Sequence, residues 1–114
     1  MTKTVDFTKT ERKGLRLLAA AVYEAEARQV LGELDQAFIQ WRCSEIESSE
    51  LLDKIHTFNQ HQSRELWGRY QALREPEIVA RGIALGLISA AELPADIAGK
   101  LQALTEFFVR AIEE

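Results

Sequence analysis

Cysteine, proline and glycine are all scarce in this chain, and each shortage removes a class of fold or function. A single cysteine, Cys43, in 114 residues excludes an intramolecular disulfide framework and points to a reducing compartment. Two prolines and six glycines leave too few turn-formers for a multi-turn β fold. The longest uninterrupted apolar run, Leu17 to Tyr23, is far too short to span a bilayer. The opening stretch MTKTVDFTKTERKG lacks the apolar region of a secretory signal. A cytoplasmic protein without membrane segments is expected. No glycine-rich phosphate loop is present either.

What the chain does contain is ordinary globular material: 46% hydrophobic and 28% charged residues, a balance that argues against disorder. A chain of this length is one domain's worth, and it buries well over half of its unfolded surface only if it packs compactly. The net charge of -4 conceals alternating blocks: +3 over residues 1–16, -6 over 24–53, +2 over 54–82 and -3 over 83–114. Such blocks suit antiparallel pairing, within the chain or with a second copy. Nucleic acid is not an expected partner, because Arg64, Arg69, Arg74 and Arg81 scatter around a helix instead of forming one basic face.

Helical periodicity dominates. Residues 1–8 read as a loose tail, and Thr8 with Glu11 has the spacing of a capping box that opens a helix near Lys9. From there Ala20, Tyr23, Ala27, Val30, Leu34, Ala37 and Trp41 recur at alternating steps of three and four, with Leu31 and Phe38 widening the stripe. Small residues at alternate seam positions permit close helix approach. A helix over residues 9–45 would be about 55 Å long, about twice the width of a small domain. Gly14 and Gly32 weaken it by roughly 1 kcal/mol each relative to alanine. Ser48 and Ser49 mark a turn into a second helix carrying Leu52, Ile55, Phe58, Leu66, Tyr70 and Leu73, so the first two helices read as a hairpin.

Pro76 suits the first turn of a third helix, with Ile78, Val79, Ile83, Ala84 and Leu87 apolar and Gly86 as its stop. Ser89 with Glu92 forms a second capping box. Pro94 restarts the chain into a last helix with Ile97, Leu101, Leu104, Phe108 and Ile112 on one face. The expectation is an all-α protein: a tail over 1–8, a long helical hairpin over 9–74 that forms a dimer, and a compact helical head over 75–114. Tyr23, Ala27, Val30, Leu34, Phe38 and Trp41 are the candidate dimer interface.

Catalytic groups are hard to assemble. His56, His61, Glu65 and Cys43 are the plausible soft or borderline metal ligands, yet His56 and His61 lie about 140° apart around a helix, so they do not converge with Glu65. Cys43 follows Trp41 on a long helix and reads as a small filler residue. Glu45, Glu47 and Glu50 read as a solvated acidic surface. No enzyme, metal or cofactor is expected. Trp67, off the main stripe, either packs against the head or is exposed as an interface anchor.

The second helix resembles a known family. Leu52, Ile55, His56, Phe58, Glu65, Leu66, Gly68, Arg69 and Tyr70 are similar to a helix of the fluorescence recovery protein family, which carries Leu, a Leu-His pair, Phe, Glu-Ile and Gly-Lys-Tyr at the same separations. Ala80, Arg81, Gly86, Ser89, Glu92 and Leu93 resemble that family's following segment, with two residues fewer between. The resemblance covers residues 50–93. It implies an all-helical homodimer that binds photoactivated orange carotenoid protein and speeds its return to the orange form without covalent chemistry, with a tetramer as the alternative assembly. By position His56 matches the family's interface histidine. Asp53 stands where the family has Trp, Thr57 where it has an acid, and Ser63 where it has Arg, with Arg64 adjacent. The candidate protein-binding surface comprises Asp53, His56, Thr57, Ser63 and Arg64 by this resemblance and Trp67 by its aromatic side chain, with a native partner that can differ from the family's. The alternative reading is a structural helical subunit, or an antitoxin- or immunity-type inhibitor that turns Glu45, Glu47, Glu50 and Asp53 toward a basic target.

Overall fold

The computed structural model describes residues 6–113, all of them helical or in short connections, with no strand among them. In chain order come α1 (Lys9–Arg42), α2 (Ser48–Gln60), α3 (Gln62–Ala72), α4 (Glu75–Ala84), a single 3-10 turn (Ala90–Glu92) and α5 (Ala95–Glu113). The protein is all-α, as the periodicity predicts.

The helix ends are set by local chemistry. At the start of α1 the Thr8 amide donates to Glu11 Oε1 at 2.8 Å and the Glu11 amide donates to Thr8 Oγ1 at 3.1 Å, which is the capping box expected from the spacing. Part of the expected tail, residues 1–5, lies outside the described residues. Phe7 does not behave as tail, since its carbonyl accepts from Arg12 at 2.7 Å and Lys100 Nζ sits 5.6 Å from its ring centroid. At the other end of α1 the Glu45 amide donates to Gln40 O and the Ser44 amide to Trp41 O, with Ser44 at φ 61°. That pattern closes a helix through one left-handed residue, here without the usual glycine. The same closure ends α4: Leu87 N donates to Gly82 O, Gly86 N donates to Ile83 O, and Gly86 has φ 75°. Ser89 and Glu92 also cap reciprocally, and a 3-10 turn rather than an α-helix follows them.

One element differs from expectation. The second helix is two helices, broken at His61, which has φ -114° and ψ -76°. Residues 59–63 read Asn-Gln-His-Gln-Ser, so five consecutive positions offer no apolar side chain to hold the register between Phe58 and Leu66. The hydrogen-bond ladder bridges the break through His61 N to Thr57 O and Glu65 N to His61 O.

The chain divides into two compact units. One combines the described residues through Ala25 with those from Leu73 onward; the other is Glu26–Ala72. The compact head therefore takes in the first half of α1 as well as residues beyond Leu73. Its core is Leu15, Ala19 and Val22 of α1, Ile78, Val79 and Ala80 of α4, Leu93, and Ile97 and Leu101 of α5, all buried. Burying the valine, leucine and isoleucine side chains among them contributes about 1.5–3 kcal/mol each. Helices α1 and α4 approach closely at Gly82, where a Cβ would stand 2.5 Å from Val22 Cγ2. In the same unit the buried Glu11 carboxylate accepts from Lys100 Nζ at 2.6 Å. Only the first half of α5 is covered: Phe107 and Ile112 remain exposed beyond Leu101.

In the second unit α2 and α3 return antiparallel to the rest of α1. Trp41 Nε1 donates to Ser48 Oγ at 3.0 Å beside the turn. At the far end Glu26 receives Arg69 Nη1 at 2.9 Å and the Tyr70 hydroxyl at 2.6 Å. This ion pair joins the acidic 24–53 block to the basic 54–82 block within one chain. The apolar core here is thin, with Ala37, Leu51 and Leu66 buried and Ile55 and Phe58 half-buried.

Candidate functional site

Two helices packed antiparallel leave a trough between them, and in the Glu26–Ala72 unit this trough is open. It forms a cavity of about 470 Å³ between α1 and α2, reaching Gln62 at the start of α3. Leu34, Ala37 and Phe58 make its apolar floor. Glu33 on α1 and Glu50, Asp53, Lys54 and Thr57 on α2 make its polar walls. Positions 50, 53, 54 and 57 share this face because a helix brings residues three and four apart together.

The charge of the walls is one-sided. Glu33, Glu50 and Asp53 face a single ammonium group, Lys54, and none of these three carboxylates has a hydrogen-bond or ion-pair partner among the described residues. The buried Oε1 of Gln62, which also lines the trough, has no hydrogen-bond partner. Unpaired buried acceptors are uncommon, since each forfeits its hydration without compensation.

The binding surface expected from the sequence is divided by this geometry. Asp53 and Thr57 lie in the trough wall. His56 is exposed and outside the lining, about 60° around α2 from Asp53, and shares its face with the exposed Leu52. Ser63, Arg64 and Trp67 lie past the break at His61, on α3, with Ser63 half-buried and Arg64 exposed. Trp67 is 65% exposed.

The seam of α1 is similarly divided. Ala37 is buried under the returning helices, whereas Leu31 is 56% exposed, Trp41 41% and Tyr23 42%; Ala27, Val30, Leu34 and Phe38 are half-buried. A second stripe, Leu15, Leu18, Ala19 and Val22, supplies core to the head instead. Sequence reasoning missed it, although its spacing of i, i+3, i+4 and i+7 was there to be read. Glu26 was also missed, because nothing local marks a carboxylate that will meet residues more than forty positions away.

Cys43 corrects the filler reading: it is a free, exposed thiol at the end of α1. Among the described residues no three His, Cys, Asp or Glu side chains come together in a cluster able to hold a metal ion. No helix of the described residues is long and apolar enough to cross a membrane. No protein-family model matches the chain, and no curated protein or solved structure matches it either.

Proposed function

We propose that this chain is a non-enzymatic, self-associating protein-binding module, similar in role to the fluorescence recovery protein family, with orange carotenoid protein or a protein in its place as the partner. The observation that carries this reading is the uncovered apolar row on α1, where Leu31 and Trp41 stay exposed beside half-buried Val30, Leu34 and Phe38. Side chains at heptad spacing that one chain leaves in water are those a second copy covers in a helical dimer. The exposed Trp67, with Arg64 three residues before it on α3, supplies the aromatic and guanidinium groups that dominate protein interfaces.

The test has two readouts. Light scattering at micromolar concentration should give twice the chain mass, and Leu31→Glu should return it to one; a wild-type chain that stays monomeric removes the self-association. Red-to-orange relaxation of photoactivated orange carotenoid protein should be faster when this protein is added. Unchanged relaxation without a complex on size exclusion removes that partner and leaves another protein in its place.

A second reading, an inhibitor of the antitoxin or immunity type, is favoured by the one-sided acidity of the trough. Neutralising Glu45, Glu47, Glu50 and Asp53 together would abolish target binding under that reading and leave self-association through α1 unchanged.

A further inference from the structure

The trough between α1 and α2 has two attributes of a helix-binding groove: an apolar floor, and polar walls whose charge is predominantly of one sign. The floor of Leu34, Ala37 and Phe58 asks for apolar side chains from an incoming segment. The walls present three carboxylates against one ammonium, a net negative charge. A net negative wall selects an occupant rich in positive charge. Arginine answers this best, because its guanidinium carries five N–H groups in a planar fork that pairs bidentately with carboxylates.

We propose that this groove docks an amphipathic helical segment of a partner protein, apolar on the face that meets Leu34, Ala37 and Phe58, with arginines flanking it toward Glu33, Glu50 and Asp53. The inference rests on the reading of the chain as a protein-binding module and specifies the partner's chemistry. The volume of about 470 Å³ takes several side chains, which matches the few anchors such a helix inserts. Asp53 and Thr57 are two of the positions at which this chain departs from the fluorescence recovery protein pattern, so the altered positions and the groove wall coincide.

The experiment titrates the 114-residue chain with a capped helical peptide of about fourteen residues, alanine and leucine on one face with three arginines beside it. A second peptide replaces each arginine by citrulline, which keeps shape and removes charge. Backbone amide shifts are followed by NMR. The arginine peptide should move the signals of Ala37, Thr57 and Gln62, with affinity falling as salt rises. The citrulline peptide should bind at least about tenfold more weakly, and Glu50→Gln with Asp53→Asn should cost a similar factor. Thr57→Trp, which fills the exposed wall without altering charge, should block the peptide while helicity by circular dichroism is retained.

No shifts with the arginine peptide, or equal shifts with the citrulline one, overturn the proposal. So does a groove whose signals move on dilution of the protein alone, which would assign it to a second copy. Light scattering separates the two failures: a dimer that ignores the peptide keeps the module reading and loses the groove. A monomer inert toward orange carotenoid protein that still binds the peptide does the opposite.

Discussion

The Tyr70 hydroxyl donates to Glu26 Oε1 at 2.6 Å, while the other oxygen of the same carboxylate is held by Arg69 Nη1 at 2.9 Å. Two adjacent residues on α3 thereby anchor one residue of α1 and fix the register of the return. A thin apolar core makes such polar closure count for more. The Glu26 side chain is 12% exposed and the Arg69 side chain 34%, so solvent weakens the ionic part and the Tyr70 bond carries more of the effect. Tyr70→Phe should cost about 1 kcal/mol and Glu26→Gln about 1–2 kcal/mol in urea unfolding. The double variant should cost less than the sum, and strictly additive losses would show that the two groups do not act together.

Glu11 gives a pH signature. The hydrogen bond from Lys100, then that from the Thr8 amide, hold its carboxyl down to about 2 from an ordinary 4.5, although burial acts in the opposite direction. Above the unfolded value the carboxylate is charged in both states and its stabilisation is complete. As pH falls from about 4.5 toward 2, the unfolded chain takes up a proton that the folded one does not, and stability declines. Unfolding midpoints measured at pH 6, 4, 3 and 2 should fall across that window. Glu11→Gln should flatten the fall, and an unchanged slope would place the acid sensitivity elsewhere.

Gly82 is where α4 lies close against α1 in the head. A methyl group there would stand 2.5 Å and 2.8 Å from the two γ carbons of Val22, which is itself fully buried. Gly82→Ala should destabilise by about 1–3 kcal/mol. Combining it with Val22→Ala should recover part of that loss, because the second change removes the atoms in the way. A Gly82→Ala protein as stable as wild type would mean that α1 and α4 separate there without cost.

Ser44 closes α1 at φ 61°, a conformation that costs a residue with a Cβ. Ser44→Gly should therefore raise stability by about 0.5–1 kcal/mol, the relief being partly offset by the greater freedom of glycine when unfolded. Thermal unfolding of the two proteins decides it, and a lower midpoint for Ser44→Gly would show that the serine side chain contributes more than its backbone costs.

Most of the helix boundaries were legible because their causes are local. Thr8 and Glu11, Ser89 and Glu92, Pro76, Gly86 and Pro94 act through neighbours a few residues away, and each marks an end or start at or close to where its chemistry predicts. The break at His61 was less legible: a run of polar residues removes the anchors of a helix without saying on which side the next turn will pack.

By itself, then, the sequence determined the helical class, the places where most helices begin and end, and the presence of an apolar stripe along α1. Tertiary structure alone decided which side chains each stripe meets. Leu15, Ala19 and Val22 serve the head, Ala37 is buried in the second unit, and Leu31 and Trp41 are left in water. It also decided that Asp53 and Thr57 would face Glu33 across a groove while His56 turned away. The reason is that helix formation reads spacings of three and four along one segment, whereas a groove or a buried ion pair depends on the rotation of two segments about their own axes. That rotation is set by packing over the whole unit, and no single segment encodes it.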